Sequence, residues 1–144
     1  MDHADKAKKL YEQGFYCSQA VFASFADELG LTEKQALLAG SCFGGGMCKG
    51  EVCGACTGAL MVLGMKYGRY LSDDWDSQTK ANDMAVRFLE LFGNDNGSYI
   101  CNELLGCDIA TPEGKAYARE HKLFSELCPK LVISAVKTVE RLIG

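Results

Sequence analysis

The chain has 144 residues, 48% of them hydrophobic, and a net charge of −4. A chain of this length buries roughly two-thirds of its unfolded surface in one core, so neither a metal nor a disulfide is needed merely to hold it together. The Lys and Arg residues are scattered, which leaves no phosphate-tracking patch and argues against nucleic acid as a partner. The longest strongly apolar run, Ala59 to Met65, is far short of the ~20 residues of a membrane-spanning helix, so no membrane association is expected.

Helical periodicity runs along the chain, and glycines punctuate it. Gly14 follows a first helical segment. Val21, Phe22, Phe25, Ala26 and Leu29 then keep a three-four rhythm that predicts a half-buried helix ending at Gly30. Thr32-Glu33-Lys34-Gln35 reads as a capping box, in which the Thr hydroxyl and the Gln amide satisfy each other's orphan N–H groups, and it opens a short helix through about Ala39. The segment from about Cys53 to Tyr67 is apolar nearly all round and is expected to be a buried central helix, with Gly68 after it. Asp73, Asp74 and Asp76 mark the next turn; they lack the twelve-residue loop of a calcium site. Ala81, Met84, Ala85, Phe88, Leu89 and Phe92 predict another half-buried helix, stopped at Gly93, with Gly93 to Gly97 as a loop. Leu131, Val132, Ala135, Val136, Val139, Leu142 and Ile143 predict a last helix starting at Pro129. No sustained two-residue alternation marks a strand. The expected fold is an all-α, single-domain helical bundle over residues 1–144 with a buried central helix.

Eight cysteines exceed ordinary usage but fall below the density of a small secreted scaffold, and no basic-apolar-small leader precedes Met1-Asp2-His3-Ala4. A reducing cytosol is therefore expected, where clustered thiols bind metals or do redox chemistry more often than they act as staples. The most informative stretch is Cys53-Gly54-Ala55-Cys56-Thr57-Gly58, a CxxC between the Gly44-Gly45-Gly46 turn and an apolar run. Two thiols so spaced form a disulfide or bind a metal.

Cys17, Cys53, Cys101 and Cys128 share one setting: each is expected at or near a helix start. Cys17 follows Gly14, Cys53 follows Gly50, Cys101 follows Gly97-Ser98 with Ser98 as N-cap, and Cys128 precedes Pro129 as an N-cap itself. Free N–H groups and the positive end of the helix dipole favour an anion there, so each thiol pKa is expected to fall from ~8.5 towards or below neutrality. On the residues alone, the other reading is of small buried side chains that only fill space. Gly44, Gly45, Gly46 and Gly50 let the backbone approach a central site, while Gly54, Ala55 and Gly58 leave room for a helix or a cluster. His3, in an N-terminus expected to fray, and His121 read as solvated. Phe22, Phe25, Met61, Met65, Met84, Phe88 and Phe92 read as core, and Trp75 and Tyr70 as closing the core or rimming a ligand.

Cys17 in Phe15-Tyr16-Cys17-Ser18-Gln19-Ala20-Val21, the CGAxxG hexapeptide from Cys53 to Gly58, Cys101 in Cys101-Asn102-Glu103-Leu104-Leu105-Gly106, and Cys128 in Leu127-Cys128-Pro129 stand in order over nearly the whole chain. Together they resemble the redox-active family named for its C, CGAxxG, C, C pattern. The resemblance implies function through Cys17, Cys53, Cys101 and Cys128 and leaves Cys42, Cys48, Cys56 and Cys107 as extras. Cys56 falls on a variable position of the hexapeptide, and no βαβ pattern surrounds it, which counts against a thioredoxin-like Cys53–Cys56 pair. The family's relatives include the split-Soret type of cytochrome, with haem and non-haem iron, so iron–sulfur chemistry is implied by analogy. A c-type haem is not: Thr57 follows Cys56 where the CxxCH signal requires His.

Three functions compete on this reading. The first is a thiol-based oxidoreductase in which Cys53 attacks a substrate disulfide and Cys56, Cys17, Cys101 or Cys128 resolves the mixed disulfide. The second is an electron-carrying or metal-binding module, with an iron–sulfur cluster held by Cys17, Cys53, Cys101 and Cys128 against Gly54 and Gly58; zinc suits the set less, because only one CxxC is present. The third is a non-catalytic helical interaction protein with incidental thiols. A redox partner is expected without being specified, and a homodimer stays open. The first two readings require the four sulfurs to gather in one pocket.

Overall fold

The computed structural model describes residues 1–144, and two helices make its centre: α2 (Cys17–Ser24) and α4 (Gly54–Tyr67). Glycine is what brings them together. A Cβ on Gly58 would lie 2.7 Å from the Ser18 carbonyl oxygen and 3.1 Å from Val21 Cβ, so α2 rests against the bare backbone of α4. The predicted central helix is buried through Gly54, Ala55, Cys56, Gly58, Ala59, Val62 and Leu63.

The other helices close around this pair: α1 (His3–Glu12), α3 (Glu33–Gly40), α5 (Trp75–Asn96), α6 (Cys101–Leu105), α7 (Pro112–Glu120) and α8 (Cys128–Ile143). The fold is all-α, with one isolated antiparallel bridge between Val52 and Ile100. Met84, Phe88 and Phe92 of α5 and Val132, Ala135, Val136 and Val139 of α8 join α2 and α4 in a large core. Cys101, Leu105, Ile109 and Ala118 form a smaller one. No helix is long and apolar enough to cross a membrane.

The capping box is in place: Thr32 Oγ1 accepts from the Gln35 N–H at 3.1 Å, and the Thr32 N–H donates to Gln35 Oε1 at 2.9 Å. Several boundaries differ from those predicted. The Val21-to-Leu29 stripe is not one half-buried helix; α2 ends at Ser24, whose hydroxyl turns back on the Val21 carbonyl at 2.7 Å, and a separate 3₁₀ turn covers Asp27–Leu29. Burial of α2 from Ser18 to Ser24, with only Gln19 partly exposed, reflects its place between α1, α3 and α4. Helix α5 passes through Gly93 and stops at Gly97, with φ 89°, because the Asn96 amide donates to the Phe92 carbonyl at 3.0 Å and to Ser134 Oγ at 2.9 Å, holding the last turn against α8. Gly68 is extended rather than left-handed.

His3 is not frayed. It stacks on Phe25 with ring centroids 4.0 Å apart, places Nδ1 2.9 Å from Glu140 and pairs through Nε2 with Glu28, clamping α1 to two neighbours. Met65, Trp75 and Tyr70 are exposed, and the Arg69 guanidinium covers Trp75 at 4.2 Å.

Candidate functional site

Cys17, Cys53, Cys101 and Cys128 all line one cavity of about 460 Å³ at the junction of the two cores. Each stands at a helix start. Cys17, Cys101 and Cys128 are the first residues of α2, α6 and α8, and Cys53 is the N-cap of α4. The details differ from the sequence reading: Leu127, not Cys128, caps α8, and Ile100, not Ser98, caps α6. Ser98 instead accepts from the Ile100 N–H at 3.0 Å and donates to Glu103 at 2.6 Å.

Backbone geometry explains the convergence. Around the Val52–Ile100 bridge, the Cys53 N–H donates to the Tyr99 carbonyl at 2.8 Å and the Cys101 N–H to the Glu51 carbonyl at 2.6 Å, which ties two of the thiols to one clamp. A Cβ on Gly54 would fall on the Cys17 sulfur, so glycine after Cys53 is what lets that sulfur lie over the start of α4. Between α3 and α4 the chain makes a left-handed turn, with φ of 63° at Gly45, 60° at Gly46, 57° at Met47 and 62° at Cys48. The two non-glycine residues in it each hold strain of roughly 1–3 kcal/mol. The turn brings the Gly45 N–H to the Cys17 sulfur and Cys48 to the cavity wall.

Ionisation runs opposite to the expectation from helix starts: all four thiols are raised. The Cys17 thiol is held well above the usual value, first by its hydrogen bond with Cys53 and then by burial; the Gly45 and Ser18 N–H groups pull the other way without prevailing. For Cys53 the largest single influence is the Cys17 thiol, which lowers it, but the hydrogen bond with Cys56 and burial together leave it raised. Cys101 is pushed up to about 12 by burial and by the neighbouring Cys17, Cys128 and Cys107. Cys128 is pushed up to about 12 by burial and by Cys17, against a lowering influence of the neighbouring Tyr11 hydroxyl. The dipole effect survives in the backbone donors, but it is smaller than the cost of charging one thiol among others in an apolar cavity.

The remaining residues divide clearly. Cys56 is fully buried in α4 beside Cys53 and does not line the cavity, whereas the exposed Cys48 does. Cys42 is exposed and Cys107 half-buried, and neither faces the cavity. Gly54 lines it; Gly58 lies under Ser18 and Val21 and serves helix packing. His121 is exposed, bonded to the Tyr117 carbonyl of its own helix at 2.9 Å. Sequence reasoning missed Tyr11, whose hydroxyl donates to the Phe124 carbonyl at 2.6 Å beside Cys128, and it missed Lys115 and Arg119. Only the i, i+4 spacing of the last two could have hinted that they share a helix face. No three His, Cys, Asp or Glu side chains are grouped as metal ligands.

An all-α fold with thiols from four helix starts around one cavity defines a cysteine-lined helical protein. Over residues 15–142 the chain matches the family described as "Putative redox-active protein (C_GCAxxG_C_C)", and it belongs to that family. The family signature reads GCAxxG, whereas the hexapeptide here has Cys53 before Gly54. No curated protein and no solved structure matches the chain.

Proposed function

We propose that the protein is a thiol–disulfide oxidoreductase whose working pair is Cys17 and Cys53. The observation that carries this reading is the place of the Cys17 sulfur over the Gly54 backbone, next in the chain to Cys53, within a cavity that Cys101 and Cys128 also line. Two neighbouring buried thiols resist ionising together, but they can pass between dithiol and disulfide without burying two charges.

Cys53 is the attacking sulfur of the pair, because Cys17 lowers the Cys53 thiol while Cys53 raises that of Cys17. It displaces one sulfur of a substrate disulfide, and the leaving thiolate takes up a proton. Cys17, once deprotonated, then attacks the Cys53 sulfur of the mixed disulfide and expels the second substrate thiol. Two electrons pass from the protein thiols to the substrate, and a Cys17–Cys53 disulfide remains. Cys56 hydrogen-bonds Cys53 from inside the core and modulates it without facing the substrate.

The test is to oxidise the reduced protein with one equivalent of a small disulfide and map the product by peptide mass spectrometry. A reversible Cys17–Cys53 link, lost in Cys17→Ser and in Cys53→Ser, is expected. Free Cys17 and Cys53 after oxidation would overturn it. An iron–sulfur cluster would draw on the same four cysteines as thiolates. Stoichiometric iron and sulfide in anaerobically purified protein, removed by Cys101→Ser or Cys128→Ser, would replace the disulfide reading with that one.

A further inference from the structure

The cavity carries a chemical asymmetry that thiol chemistry does not use. Of its 19 lining residues, 17 are apolar, aromatic, thiol or glycine; the other two are Lys115 and Arg119. They stand four apart on α7, on either side of the buried Ala118, so both project to one side of the helix. Both are exposed, neither takes part in any ion pair, and no Asp or Glu lines the cavity. In a chain of net charge −4, two cationic side chains without an ion-pair partner thus border an apolar chamber.

Size and burial restrict what can reach the sulfurs. Cys53 and Cys101 are 5% and 7% exposed, and a cavity of about 460 Å³ is of small-molecule size. We propose that the cavity is the binding site for a low-molecular-weight disulfide, or its thiol, bearing carboxylate groups, with Lys115 and Arg119 holding the anionic end while the apolar lining guides the sulfurs to Cys53 and Cys17. This rests on the thiol–disulfide reading and names its substrate class. The reaction balances as above: one substrate disulfide takes two electrons and two protons to give two thiols, and the protein gains one disulfide. The guanidinium offers a planar fork for a carboxylate and the ammonium a second point charge. Cys17, Gly54 and Cys128, the first residues of α2, α4 and α8, line the same cavity, so the starts of three helices also border it.

The experiment compares dithiodiglycolate, a dianion, with cystamine, a dication of similar size, as oxidants of the fully reduced protein at low salt. Formation of the Cys17–Cys53 disulfide is expected about 10-fold or more faster with dithiodiglycolate, with most of the preference lost in high salt. Lys115→Gln combined with Arg119→Gln should erase the preference, and Lys115→Glu with Arg119→Glu should reverse it. Equal rates in the wild type, or a preference untouched by both double variants, would overturn the assignment while leaving the disulfide reading in place. Hexanedioate, which replaces the two sulfurs by methylenes, reads the site separately by calorimetry. Binding that disappears in the Gln double variant supports the site even if the thiols do not exchange, and no binding that depends on Lys115 and Arg119 sinks it.

Discussion

The two halves of the thiol cluster are built on different principles. Cys17 and Cys53 sit at the starts of the two central helices, brought together by Gly54 and Gly58, and each shifts the other's ionisation. Cys101 and Cys128 border the smaller core, and burial is what raises them. Proximity therefore defines the first pair and environment the second. A motif that looks like one set of equivalent cysteines divides into a coupled pair and a surrounding pair.

Removing the glycine that permits the coupling is the most severe way to break this division. Gly54→Ala places a methyl group on the Cys17 sulfur; a loss of about 1–3 kcal/mol in urea-unfolding stability is expected, along with loss of the Cys17–Cys53 disulfide on oxidation. Cys101→Ala and Cys128→Ala act on the other half and should leave that disulfide intact. Its disappearance in either variant would make the four cysteines a single unit.

Alkali sharpens the contrast more gently. The Cys101 and Cys128 thiols rise from the usual 9.0 to about 12 on folding, so below pH 9 they are neutral in both states and contribute no pH dependence. Above pH 9 the unfolded chain releases these protons while the folded one keeps them, so the unfolded state gains and stability falls until the pH approaches 12. Urea midpoints taken across this window should fall less steeply in the Cys101→Ala, Cys128→Ala double variant.

Iodoacetamide at neutral pH should modify the exposed Cys42 and Cys48 well before Cys53 or Cys101, an order readable by time-resolved mass spectrometry. The smallest effect is expected at Gly64 of α4, where a Cβ meets nothing within 4 Å: Gly64→Ala should raise stability by about 0.5–1 kcal/mol, opposite in sign to Gly54→Ala in the same helix.

Helix content, the capping box at Thr32 and the buried character of α4 were legible because they rest on local periodicity and side-chain to backbone bonds a few residues apart. Gly93 misled for the same reason: a local stop signal yielded to the bond between Asn96 and Ser134, 38 residues away. The four cysteines and their helix starts could also be read along the chain. The direction of their ionisation could not, since it depends on how many thiols share one apolar space, and that is known only once α2, α4, α6 and α8 have met. The same holds for Lys115, Arg119 and Cys48. Sequence by itself determined which sulfurs are primed by a helix; tertiary structure decided that burial and mutual repulsion outweigh that priming, because those two effects act through space and the helix dipole acts within one turn.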